Sequence, residues 1–183
     1  MPVGINNHVH VKEVNVSKTQ NGRDFLEINF ENADGQTATM TEWKNEKNVW
    51  IKTDEDLQRR DDAQFGRILQ VIDAVKDEHP DFEGSSFVEM INWVKNTIGA
   101  TPNNKLLRLK VVYDKNGYTK VSNLGMFVEP MSVEESQIKL WKNDLLERPV
   151  QPDKEDDPLG SPNIGASAPV TADSTGADDL PYD

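Results

Sequence analysis

The chain has no cysteine in its 183 residues. That excludes a disulfide framework, thiolate metal ligands and a cysteine nucleophile. No apolar run approaches the roughly 18 residues of a membrane-spanning helix. The opening MPVGINNHVH carries neither the basic nor the apolar region of a secretory signal. The expectation is therefore a protein that does not enter membranes and is kept in a cytoplasm. Positive charge is scarce, with 20 Lys and Arg against 32 Asp and Glu, a net of −12. Phosphate-cradling glycine loops and nucleophile–base pairings are missing as well, so neither an enzyme nor a bound cofactor is expected.

Apolar residues make up only 36% of the chain, and the deficit is local. From 147 to 183 nine acids stand against two bases, a net of −7, while five of the ten prolines fall between Pro149 and Pro169. Low hydrophobicity, high charge and frequent Pro, Gly and Ser leave such a segment unable to offset its ordering entropy. The organisation expected is a folded domain over 1–146 followed by a disordered acidic tail over 147–183. The tail closes on ADDLPYD, in which acids surround two apolar residues and a proline.

The period of the apolar residues assigns the elements. HVHVKEVNVSK (8–18) alternates as a strand does, but its apolar parity changes midway. A bulge near Lys12–Glu13 would return Val9, Val11, Val14 and Val16 to one face and bend the strand. TQNGR carries the hairpin signal Asn21-Gly22. RDFLEINFE (23–31) then directs Leu26, Ile28 and Phe30 one way, and TATMTEW (37–43) directs Ala38 and Met40 inward. Helical spacing follows in DLQRRDDAQFGRILQVIDAVKD, with Asp54 or Asp56 as its cap, and in SSFVEMINWVKNTIG, where Ser85 or Ser86 caps, Glu89 closes a capping box and Gly99 stops the helix. KLLRLKVVYD (105–114) and YTKVSNLGMFVE (118–129) are two further strands joined by a DKNG turn. SVEESQIKLWKNDLL (132–146) reads as a short helix.

Three strands, a helical insert and two strands are the element order of an OB-fold, a five-stranded, partly open barrel. A small α+β sheet with helices on one side is the second reading. OB-folds bind oligonucleotides across strands two and three, and single strands need aromatic planes for bases and cations for phosphates. The outward residues Phe25 and Trp43 supply planes. Arg23 joins them from the first turn, and WKNEKNVWIK interleaves Lys44, Lys47 and Trp50. On strand four Arg108 and Lys110 share the face opposite Leu107, Leu109 and Val111, while Lys115, Tyr118 and Lys120 flank the last turn. The segment 105–128 carries a net of +4 and the helical block 54–99 a net of −6, so charge is segregated by element. Each aromatic taken singly is also compatible with burial under a helix, and Trp50 with plugging a barrel end. His8 and His10 share a strand face, but the sequence specifies no third ligand, and no metal is expected.

These segments resemble the single-stranded-DNA-binding proteins, most closely phage versions. TQNGRDFLEINF, LLRLKVVYDKNGY and GMFVEP carry the resemblance in the body, and the Pro/Gly/Ser-rich acidic linker with its acidic-apolar tip carries it in the tail. In bacterial members the tip is a run of aspartates, an apolar residue and Pro-Phe. Asp178, Asp179, Leu180 and Pro181 match that pattern, Tyr182 replaces the phenylalanine, and Asp183 adds one residue. The resemblance implies sequence-independent binding of single-stranded DNA in phage replication or recombination, within the host cytoplasm. It also implies replication or recombination proteins as partners of the tip. The sequence leaves homo-oligomerisation open. The competing expectation is an acidic interaction protein that binds no DNA, such as a phage adaptor or DNA mimic.

Overall fold

The structure is a computed structural model and describes residues 1–76, 78, 80–99 and 105–149. Six strands and two helices follow one another as β1 (Gly4–Lys18), β2 (Asp24–Asn32), β3 (Thr37–Trp43), α1 (Asp54–Val75), α2 (Phe87–Ile98), β4 (Leu107–Tyr113), β5 (Thr119–Val121) and β6 (Val128–Pro130). The strands pair antiparallel in the order β3-β2-β1-β4-β5, and β6 also pairs β4. Together they form a nearly closed five-strand barrel in which β5 and β6 are two halves of the fifth strand. Both helices lie in sequence between the third and fourth strands. This is the OB-fold expected from the element order. Residues Met1–Gln151 form one compact unit; the acidic tail lies outside the described residues.

β1 is long because it serves two neighbours. Its N-terminal part pairs β4 (Gly4↔Val111, Val9↔Leu107) and its C-terminal part pairs β2 (Val9↔Asn32, Lys18↔Asp24). The register with β2 shifts between Val11 and Glu13, which is the bulge implied by the change of parity. Val9, Val11 and Val14 are consequently buried together, while Val16 is half-buried against the same core. A second irregularity lies between Asn6 and Val9, where His8 takes φ 56°. Gly22 at φ +77° makes the turn into β2, a conformation that costs glycine little.

Leu26, Ile28 and Phe30 of β2 and Leu107, Leu109 and Val111 of β4 are wholly buried inside the barrel. Each such side chain contributes about 1.5–3 kcal/mol through the apolar surface it withdraws from water. The helices close one side of this core: α1 contacts β6 and α2, and α2 contacts β1 and β2. The cap of α1 is Thr53 rather than Asp54 or Asp56; its hydroxyl accepts from Asp56 N–H at 3.0 Å, and the acids occupy the first turn, where the helix dipole favours them. At α2 the capping box of Ser86 and Glu89 forms as expected, and Gly99 is its C-cap.

Residues 132–146 do not form the expected helix. They run as an irregular strap that keeps a few short-range bonds of its own, such as Asp144 N–H to Trp141 O (2.9 Å), and is tied to the barrel by its other polar groups. Val133 O accepts from Arg108 Nη1 (2.8 Å), Lys139 O from Lys110 Nζ (3.0 Å), and Gln137 N–H donates to Glu129 Oε2 (2.8 Å). Leu145 O accepts from Tyr113 N–H at 2.8 Å. A helical periodicity is a weak preference, and these tertiary bonds override it.

Candidate nucleic-acid interface

β2 and β3 pair so that Phe25 stands opposite Trp43. Their rings stack, with centroids 4.6 Å apart and planes inclined by 28°. The guanidinium of Arg23 lies over the Trp43 ring at 5.4 Å from its centroid, and its Nη2 donates to Lys44 O at 2.8 Å. Trp43 keeps 37% of its surface exposed, too much for a core residue. Thr19, Asn21, Arg23 and Trp43 line a shallow depression at this end of the barrel. The sequence thus brings one cation and two aromatic planes to a single spot, where the first turn meets the ends of two strands.

The remainder of this outer face is polar and largely engaged with itself. Thr39 Oγ1 donates to Asn29 Oδ1 (2.6 Å), Asn29 Nδ2 donates to Glu13 Oε1 (2.9 Å), and Lys12 pairs with Glu31. The hydrogen bond from Lys12 outweighs desolvation and holds the Glu31 carboxyl below its usual range. Strand alternation by itself places Glu27 and Glu31 on the face of Phe25, a signal that a search for cations and aromatics passes over. The aromatic end is therefore the part of the face suited to a polyanion. At the opposite edge, Lys120 lines a cleft with Thr39, Thr41 and Arg67, where β3 and the fifth strand leave the barrel not quite closed. Lys115 and Tyr118 are exposed on the adjoining turn, which Asp114 organises by accepting from Asn116 N–H (2.8 Å) and Tyr118 N–H (2.9 Å).

Strand four departs from expectation. Arg108 and Lys110 do share its outer face, but the strap crosses that face and neither side chain is a surface cation. Lys110 is wholly buried. Its Nζ donates to Leu124 O (2.8 Å), Lys139 O (3.0 Å) and Asp144 Oδ2 (3.0 Å). The fifth strand is interrupted beside it, with Lys110 N–H donating to Phe127 O and Lys110 O accepting from Ser122 N–H, so residues between them loop outward and bring Leu124 O to the ammonium. Arg108 is half-buried and paired with Glu129 at 3.0 Å. Both residues hold the strap down; Lys110 is out of reach of any phosphate.

In the segment between β3 and α1 the structure decides between the two roles the sequence left open for Trp50. Asn48 Oδ1 accepts from Trp50 N–H (2.8 Å) and Ile51 N–H (3.1 Å), fixing a tight turn. Ile51 is the buried plug of this segment, and Trp50 projects outward, 82% exposed. Lys47 pairs with Asp54 at 2.6 Å, while Lys44 is exposed beside Trp43. Asp178, Asp179, Leu180, Pro181 and Tyr182 lie outside the described residues. Among the described residues no cluster of three or more His, Cys, Asp or Glu could hold a metal, and no helix is long and apolar enough to cross a membrane. The chain matches no protein-family model, and no curated protein sequence is significantly similar to it.

Proposed function

We propose that the protein binds single-stranded DNA without sequence preference and without catalysis, in the manner of the phage single-stranded-DNA-binding proteins its sequence resembles. The observation that carries this reading is the stacked, half-exposed Phe25–Trp43 pair with Arg23 over it, on the face an OB-fold offers to oligonucleotides. Every base has a π-face, so an exposed stack accepts any sequence, and Arg23 adds both a stacking plane and a charge for the backbone. Lys44 beyond Trp43 and Lys115, Lys120 and Tyr118 across the sheet extend the path. Trp50, on its rigid turn, is one more plane available to a base. Arg108 and Lys110 are left out of the interface because the strap covers and engages them, whereas Lys47, bridged only to the exposed Asp54, stays available to the path.

The acidic interaction protein remains the alternative, supported by the net charge of −12 and by Glu13, Glu27 and Glu31 on the same face. One titration separates the two. Labelled single- and double-stranded oligonucleotides are added at two salt concentrations while tryptophan fluorescence is followed. The proposed function requires quenching, preference for the single strand, and affinity that falls with salt as counterions are released. Absence of binding at low salt would favour the alternative.

A further inference from the structure

The first three turns of α1, the start of α2 and the segments that precede each helix enclose a groove of about 510 Å³, of the size that small ligands and anchor side chains occupy. Its walls are apolar and its rim is acidic. Phe65, Phe82 and Phe87 are half-buried there, and Val88 beside them is 42% exposed. Phe82 packs against Phe65 (5.6 Å between centroids) and Trp93 (5.1 Å), so the rings form a continuous surface. That surface depends on Gly84, because a Cβ there would lie 2.3 Å from the Phe82 ring. Asp61 and Asp62 stand on the rim and have no cation within ion-pair distance among the described residues; they accept only from the amides of Asn45 and Gln58.

This arrangement disfavours an anionic occupant. The carboxylate of Glu89 already occupies the start of α2: its Oε2 accepts from Ser85 N–H (2.9 Å) and Ser86 N–H (3.0 Å), the two N–H groups just ahead of the helix. Those hydrogen bonds, the one from Ser85 N–H foremost, hold the Glu89 carboxyl below its usual range, so the helix end keeps its own negative charge. Among the described residues Lys44 is the one cation that lines the groove. Nucleic acid would meet Asp61 and Asp62 with its phosphates. A cation on an apolar stem meets the opposite situation: an arginine lies flat on phenylalanine rings and pairs with carboxylates at the rim.

We propose that this groove docks a peptide segment of a partner protein, one that carries an aromatic or leucine anchor beside arginine or lysine. The anchor fills the space between Phe65, Phe82 and Phe87, and the cation reaches Asp61 and Asp62. Of the residues assigned to the DNA path only Lys44 also lines the groove, and the Phe25–Trp43 stack lies outside it, so the proposal does not rest on the DNA-binding reading.

The test is a selection of randomised displayed peptides on the full-length protein, followed by affinity measurements of the enriched peptides. Two variants are compared with wild type: Asp61→Asn/Asp62→Asn, which keeps the hydrogen-bond acceptors and removes the charge, and Val88→Gln, an exposed first-turn position where a neutral polar side chain replaces the apolar one without adding charge and suits a helix. The enriched peptides should combine an apolar anchor with a cation and bind each folded variant about tenfold or more weakly. Failure to enrich any peptide, enrichment of peptides without cations, or equal binding by both variants would overturn the proposal. Displacement of the peptides by a single-stranded oligonucleotide would also overturn it, by making the groove part of a nucleic-acid site.

Discussion

Lys110 Nζ lies 3.0 Å from Asp144 Oδ2, and both side chains are wholly shielded from solvent. Ser122 Oγ donates to the second oxygen of Asp144 (3.0 Å), Trp141 N–H to the first (2.6 Å), and two carbonyls complete the ammonium. No buried polar side-chain atom is left without a partner among the described residues. Removing one member therefore strands the other. Lys110→Met or Asp144→Asn should each destabilise the protein by about 3–5 kcal/mol. Lys110→Met/Asp144→Asn should cost less than the sum, because no unpaired charge remains. Urea unfolding of the three variants measures this, and additive losses would show that the two groups act independently.

Acid should release the strap first. Burial raises the Asp144 carboxyl, but the hydrogen bonds from Trp141 N–H, Lys110 and Ser122 outweigh it and leave the folded-state value below normal. Glu129 behaves alike: burial pushes up, and bonds from Ser136, Gln137 N–H and Arg108 bring it down. A carboxyl lowered on folding contributes stability that is complete above its unfolded value, about 3.9–4.3, and is lost as pH falls through the folded value. Stability should thus be level near neutrality and fall below about pH 4, and Asp144→Asn should flatten that fall. Thermal melts against pH, read by tryptophan fluorescence, test it.

Binding of single-stranded DNA should depend on the aromatic end of the face. Trp43→Ala should weaken it by about 1–3 kcal/mol with the fold intact, since the ring is partly exposed. Arg23→Ala, Lys115→Ala and Lys120→Ala should each flatten the log–log salt dependence by roughly 0.7. Arg108→Gln should loosen the strap while leaving the salt slope unchanged. Fluorescence titrations across a salt series distinguish these outcomes, and a wild-type slope in all three cation variants would remove them from the interface.

Truncation after Pro149 removes residues 150–183, with eight acids and one base, yet keeps Arg148, whose side chain lies beside Gly117. Loss of that acidic segment should leave DNA affinity level or raise it, most at low salt where screening is weak. Leu180→Ala/Tyr182→Ala should leave DNA affinity unchanged and abolish capture of a replication or recombination partner. Identical partners recovered by this variant and by wild type in a pull-down would show that the 178–182 segment is not a ligand.

Local chemistry was enough to determine most of the fold. Period-two alternation in 23–31 and 37–43 specified which side chains enter the barrel, and a change of parity in 8–18 located the Lys12 bulge, because a one-residue slip would otherwise turn Val14 to solvent. Ser86, Glu89 and Gly99 marked α2 by bonds that close within four residues. That Phe25 and Trp43 both face outward was legible from the same alternation, while their position opposite one another came from the pairing of β2 with β3. What depended on residues far apart in the chain was not legible. Alternation assigned Arg108 and Lys110 to the outer face of β4, but nothing nearby revealed that residues 132–146 would cross that face. The same segment reads as a helix until Arg108 and Lys110 take its carbonyls. Likewise Trp50 and Ile51 differ by one position, and only the tertiary contacts decide that Ile51 enters the core while Trp50 faces water. Sequence encodes the preferences of neighbours, whereas the burial of a charge is decided by what arrives from a distance to pair with it.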